Sequence, residues 1–96
     1  MITKIPKLGG LQYMKVRVLV IDDDEDILYI ANRYLSKEDP HFEIHSVRNS
    51  QDALRELDET AFDAVLCDFH LGKNEMNGLE ILEWMRGENI HTPLYC

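Results

Sequence analysis

The chain is poor in cysteine, proline, glycine and positive charge, and it lacks any long apolar run. Two cysteines occur, Cys67 inside an apolar segment and Cys96 at the last position. They do not make a disulfide framework, and such usage fits a reducing, cytoplasmic setting. With three prolines and five glycines in 96 residues there is no low-complexity stretch or internal repeat. The absence of a long hydrophobic run excludes a membrane span. Ten Lys and Arg stand against 18 Asp and Glu, a formal net charge of -8. A protein that tracks a phosphate backbone needs a basic face, so direct nucleic-acid binding is not expected. A hydrophobic content of 45% is ordinary for a globular chain. This length holds one domain at most.

Residues 1–14 carry Lys4 and Lys7 but no signal-like apolar core, and Pro6 and Gly9-Gly10 interrupt what apolar content exists. They are expected to form a flexible N-terminal extension, with Met14 as an alternative start. From Val16 onward, short apolar strands alternate with segments of helical period, the signature of βαβ units and a parallel sheet. Val16 to Ile21 is apolar at nearly every position and predicts a central strand, whereas the mixed Phe42 to Val47 predicts an edge. Between them Ile27, Ile30, Ala31, Tyr34 and Leu35 follow helical spacing, with acids leading in and Pro40 beyond the end. Ser50 is expected to cap a second helix whose inward stripe is Ala53, Leu54 and Leu57. Phe62 to Cys67 predicts a third strand, and Gly78 to Arg86 a third helix facing inward through Leu79, Leu82 and Met85. Thr92 to Cys96 predicts the opening of a fourth strand, with Pro93 where no amide donor is needed.

Asp22, Asp23 and Asp24 follow the first strand, and Asp68 closes the third. In an open parallel sheet the carboxyl ends of neighbouring strands converge where ligands bind, so these acids are expected to share one pocket. Crowded carboxylates take up protons or a hard, oxygen-preferring ion such as Mg²⁺. Taken alone, Asp22 to Asp26 would read as a solvated helix start, and Asp68 as a turn residue; the pairing of the two strand ends changes that balance. A calcium loop starting at Asp22 is rejected, because Ile27 occupies its glycine position and Arg33 its glutamate position. His41, His45, His70 and His91 lack metal-site spacing and read as surface or loop residues. Cys67 reads as a core thiol and Trp84 as a partly exposed helix residue.

The order strand, Asp22-Asp23, helix, strand, helix, strand, Asp68 resembles the receiver domain of response regulators. The resemblance rests on Val18-Leu-Val-Ile-Asp22-Asp23, on Asp63-Ala-Val-Leu-Cys-Asp68 and on Gly78-Leu-Glu-Ile-Leu, and covers about residues 15–96. It implies a flavodoxin-like (CheY-like) doubly wound α/β fold of strand order 2-1-3-4-(5), here without the last strand and last two helices. It also implies that Asp68 accepts a phosphoryl group from a sensor histidine kinase or a histidine phosphotransfer protein. Asp22, Asp23, Asp68 and the backbone carbonyl of His70 would hold Mg²⁺. Catalysis would extend no further than self-phosphorylation and self-dephosphorylation. The loop from Asp68 to Gly78 is two residues longer than is usual in the family, and Gly72 stands where many members have proline. Both departures are expected to loosen the loop and make the His70 ligand less secure. The family's hydroxyl and lysine switch positions fall beyond Cys96, so this chain alone is expected to bind Mg²⁺ yet phosphorylate poorly. The alternative is a truncated or pseudo-receiver that acts as an interaction module and self-associates through an exposed sheet edge. An aspartyl phosphohydrolase fits less well, because no small hydroxyl residue follows the first-strand acids.

Overall fold

A computed structural model describes residues 15–38 and 41–96. The expected extension over residues 1–14 and the breaker Pro40 lie outside the described residues. The elements run β1 (Val16–Ile21), α1 (Glu25–Glu38), β2 (Phe42–Val47), α2 (Ser50–Glu59), β3 (Ala64–Cys67), α3 (Gly78–Gly87) and β4 (Leu94–Tyr95). The strands form one sheet of order β2-β1-β3-β4. All three pairings are parallel, and Ile21 aligns with both Val47 and Cys67.

From Val18 to Ile21, β1 is buried on both faces of the sheet, which explains why it is apolar at every position but Arg17. Leu19, Ile21, Val65 and Cys67 turn to one face, where Ala53 and Leu57 of α2 and Ile81 and Met85 of α3 meet them. Val18 and Val20 turn to the other, against Leu28 of α1. This arrangement is the doubly wound, CheY-like α/β layout. Burying a Leu, Ile, Val or Met side chain contributes about 1.5–3 kcal/mol, so Leu19, Ile21, Val65, Ile81 and Met85, each essentially inaccessible to solvent, dominate the stability of the sandwich.

Local signals set the helix boundaries. Asn49, not Ser50, caps α2, its side chain accepting from the Asp52 amide. In α3, Asn77 and Glu80 form a reciprocal capping box. That helix ends on Asn89 at φ 64°, with Asn89 N–H donating to Arg86 O and Ile90 N–H to Met85 O. This is the left-handed terminator that glycine usually supplies. The inward stripe of α3 is Gly78, Ile81 and Met85, and Leu79 is 53% exposed. The spacing of Leu79, Leu82 and Met85 points about one residue round the helix from the buried face. On α1 the buried residue is Leu28, while Ile27, Ile30 and Tyr34 remain exposed.

His45 is not a plain surface residue. It is half-buried on β2, its Nε2 2.7 Å from Glu43 Oε2 and its Nδ1 3.2 Å from Glu56 Oε1 of α2, with the Phe62 ring edge-on at 5.2 Å. The Glu43 bond raises the His45 pKa above its ordinary 6.5; burial opposes the shift and Glu56 adds to it. The same bond holds Glu43 below its usual 4.5, aided by Arg17 and Lys15. The histidine's contribution to stability is therefore complete below pH 6.5 and lost as pH rises through its higher folded value. The carboxylate's contribution is present above 4.5 and lost only in acid. Urea midpoints measured from about pH 6 to pH 8 should fall more steeply for the wild type than for His45→Gln. Equal slopes would rule out the clamp.

Candidate functional site

The parallel ladder continues one residue past the strands. Asp22 N–H donates to Val47 O at 3.1 Å and Asp68 N–H to Ile21 O at 2.9 Å. These bonds hold the two aspartates side by side at the carboxyl ends of the adjacent β1 and β3. Asp22, Asp23 and Asp68 each offer a carboxylate oxygen, and these atoms all lie within 4.8 Å of one another. Asp22 is partly buried; Asp23 and Asp68 are exposed.

The crowding has an electrostatic cost. Partial burial raises the Asp22 pKa above 3.8, and repulsion from Asp68, Asp23 and Asp24 adds to it. A hydrogen bond from the Asp24 amide to Asp22 Oδ1, at 3.0 Å, works in the opposite direction. Asp24 in turn accepts from the Asp26 amide at 2.9 Å and so opens α1. Glu25 and Asp26 fill the first turn, where the helix dipole favours negative charge. Beneath Asp68, the Cys67 thiol donates to the Asp68 carbonyl oxygen at 3.1 Å. Burial, then the neighbouring Cys96, Asp68 and Asp22, push the Cys67 pKa up to about 12.

The donor set suits Mg²⁺. Oxygens bound at about 2.0–2.1 Å in an octahedron lie roughly 3–4 Å apart, a spacing these three carboxylates reach with little movement. His70 is exposed, two residues past Asp68, its ring edge-on to Phe69 at 4.7 Å.

Two contacts escape a reading of local sequence. Arg48, just past β2, donates to Glu25 Oε2 at 2.6 Å and to the Asp23 carbonyl at 3.4 Å. It braces the segment carrying Asp23, and its place at a strand's carboxyl end was the available signal. Glu75, in the long loop, accepts from the Ser50 amide at 2.7 Å and the Ser50 hydroxyl at 2.8 Å. These two bonds, the amide's first, hold its pKa below the usual value. Ser50 thus anchors the loop instead of capping its helix. Gly72, at φ 121°, adopts a conformation closed to proline, so the longer loop follows a path of its own. It returns where Gly78 N–H donates to Phe69 O at 3.0 Å. A Cβ on Gly78 would stand 2.9 Å from Cys96 Sγ, so that close approach needs glycine.

A cavity of about 300 Å³ opens beside the acids, its lining including Asp22, Ile27, Ala31, Leu66, Asp68 and Tyr95. Among the described residues, no helix is long and apolar enough to cross a membrane.

Comparison with known proteins bears on the fold and the family. The transcriptional regulatory protein SrrA of Staphylococcus aureus (strain NCTC 8325 / PS 47) is 32% identical over 81 residues, covering 84% of this chain and 32% of SrrA. The chain therefore spans about a third of that relative's length. The structure of the MaeR response regulator bound to beryllium trifluoride superposes with a TM-score of 0.72 at 26% identity, covering 82% of this chain and 63% of that one. The signal receiver domain of a putative LuxO repressor protein from Vibrio parahaemolyticus shares the fold, with a TM-score of 0.74 at 23% identity, covering 84% and 59% of the two chains. The family model of the response regulator receiver domain matches residues 18–96, and the chain belongs to that family of two-component signalling proteins.

Proposed function

We propose that the chain accepts a phosphoryl group on Asp68 in a Mg²⁺-dependent reaction, the donor being a phosphohistidine of a sensor histidine kinase or a histidine phosphotransfer protein. The observation that carries this reading is the convergence of Asp22, Asp23 and Asp68 within 4.8 Å. Asp23 and Asp68 would bind Mg²⁺ with Asp22 and the His70 backbone carbonyl, and the bound ion would offset negative charge on the incoming phosphoryl oxygens.

The chain's own residues supply position. An Asp68 carboxylate oxygen attacks phosphorus, the P–N bond of the donor breaks, and the imidazole leaves, so that Asp68 becomes an acyl phosphate. The Asp68 amide, held by Ile21 O, fixes the backbone that carries the carboxylate beside Asp22 and Asp23. Arg48 holds the Asp23 segment against α1. Hydrolysis of the anhydride ends the signal, and the output is a change of conformation instead of a released metabolite.

Acetyl phosphate supplied with Mg²⁺ should add one phosphoryl group to Asp68, seen as a hydroxylamine-labile adduct in peptide mass spectra and lost in Asp68→Asn. No adduct in a chain extended past residue 96, or one that forms equally with the ion chelated, overturns the proposal. The apolar side chains at the surface of α1, Ile27, Ile30 and Tyr34, are expected to promote self-association. Sedimentation velocity should show a concentration-dependent shift; a monomer at every concentration removes that expectation.

A further inference from the structure

The two cysteines meet at the carboxyl ends of β3 and β4. The register aligns Val65 with Leu94 and Leu66 with Tyr95, and its continuation sets Cys67 against Cys96. Side chains alternate between faces along a strand. Val65 and Leu94 both belong to the core under α2 and α3, so the cysteines, two residues further on, return to that face. The surroundings of Cys96 place it there independently. A Cβ on Gly78, the first residue of α3, would lie 2.9 Å from its Sγ and 3.3 Å from Phe69 Cδ1. Neighbouring strands run about 4.8 Å apart, within the roughly 4.4–6.8 Å range of Cα separations that a disulfide spans. Both thiols are free; Cys67 is buried at 4% exposure and Cys96 is open to solvent.

We propose that Cys67 and Cys96 form an oxidisable pair, a modification site beside Asp68 that hydrogen peroxide closes into an intrachain disulfide. The exposed Cys96 sulfur attacks one peroxide oxygen, the O–O bond breaks, and the departing hydroxide takes up the thiol proton as water. The resulting sulfenic acid faces Cys67, whose sulfur attacks that of Cys96 and expels the hydroxyl as a second water, carrying the Cys67 proton. Two thiols are oxidised and one peroxide is reduced. Only Cys96 needs to reach the oxidant, because its partner lies across one strand spacing. The bond removes the Cys67 hydrogen bond to the Asp68 carbonyl and ties the strand end that carries Asp68 to β4. The usual Cβ separation in a disulfide, about 3.8 Å, is shorter than the strand spacing, so closure draws the two ends together. Strained bonds of this kind are the readily reduced ones.

The test is a non-reducing tryptic map of the chain after treatment with equimolar hydrogen peroxide. Cys67 lies in the peptide of residues 56–73 and Cys96 in that of residues 87–96. Joined peptides lighter by two hydrogens, from a chain that stays monomeric on a non-reducing gel and reverts with dithiothreitol, are the expected result. Loss of the Cys96 thiol with Cys67 still free, whether as sulfinic acid or as a Cys96–Cys96 dimer, overturns the proposal. In Cys67→Ala the resolving thiol is gone, so the Cys96 sulfenic acid should persist long enough for dimedone to trap at least tenfold more of it than in the wild type. Equal trapping in both proteins would also sink the idea. None of these readouts depends on phosphotransfer.

Discussion

Mg²⁺ in a hundredfold excess over its dissociation constant should raise the melting temperature of the wild-type chain by about 10 °C or more, because a ligand at that level stabilises the folded state by about 2.7 kcal/mol and each kcal/mol moves a domain this small by roughly 4–8 °C. Asp23→Asn or Asp68→Asn should remove most of that rise, since each deletes a charge from a cluster whose oxygens lie within 4.8 Å. In the absence of divalent ions the effect of neutralisation reverses. The folded-state pKa of Asp22 is raised, by partial burial first and then by its acidic neighbours. The folded chain therefore binds the proton more tightly than the unfolded one, and gains stability as pH falls through the folded value. Above that pH the ionised Asp22 is a liability. Asp22→Asn keeps the oxygen that accepts the Asp24 amide and should melt higher than the wild type in EDTA, yet lower in Mg²⁺. This crossing distinguishes a metal centre from an acidic helix start, for which the ion would matter little. A wild-type melting curve unmoved by Mg²⁺ would remove the centre and the proposed phosphotransfer with it.

Ile81→Ala should cost about 2–5 kcal/mol, the range for emptying a large, fully buried aliphatic site. Leu79→Ala, two residues away on the same helix, should stay within about 0.5 kcal/mol. Ile81 has no solvent exposure and lies among the strand residues Leu19, Ile21, Val65 and Cys67, whereas Leu79 is 53% exposed. Because domains are stable by only about 5–15 kcal/mol in all, the first substitution removes a large share of the total. Urea unfolding of both variants checks the pair, and equal losses would mean that α3 presents another face to the sheet.

That contrast also shows where periodicity stops being informative. In Gly78-Leu-Glu-Ile-Leu-Glu-Trp-Met85, apolar residues are dense enough to draw two overlapping stripes at three- and four-residue spacing. The glycine opening the buried stripe has no side chain to mark it. On α1 the ambiguity is similar, with Leu28 buried and Ile27 and Ile30 turned outward. His45 was only half legible: its partner Glu43 stands two residues away on the same strand, but Glu56 lies 11 residues away on another element. Arg48 and Glu25, 23 residues apart, and Ser50 and Glu75, 25 apart, are equally invisible to local pattern.

From the order of residues alone came the alternation of strands and helices, the central place of the mostly apolar β1 against the mixed β2, and the acids waiting at two strand ends. Each is a local property, carried by side-chain polarity along a period of two or of 3.6 residues. Only the folded chain decided which helix faces turn inward, that Glu75 ties the long loop to α2, and that the carboxylate oxygens of Asp22, Asp23 and Asp68 come within 4.8 Å of one another. Those outcomes depend on strand register and on how each connection crosses the sheet, and no short window of sequence contains both partners of such a contact.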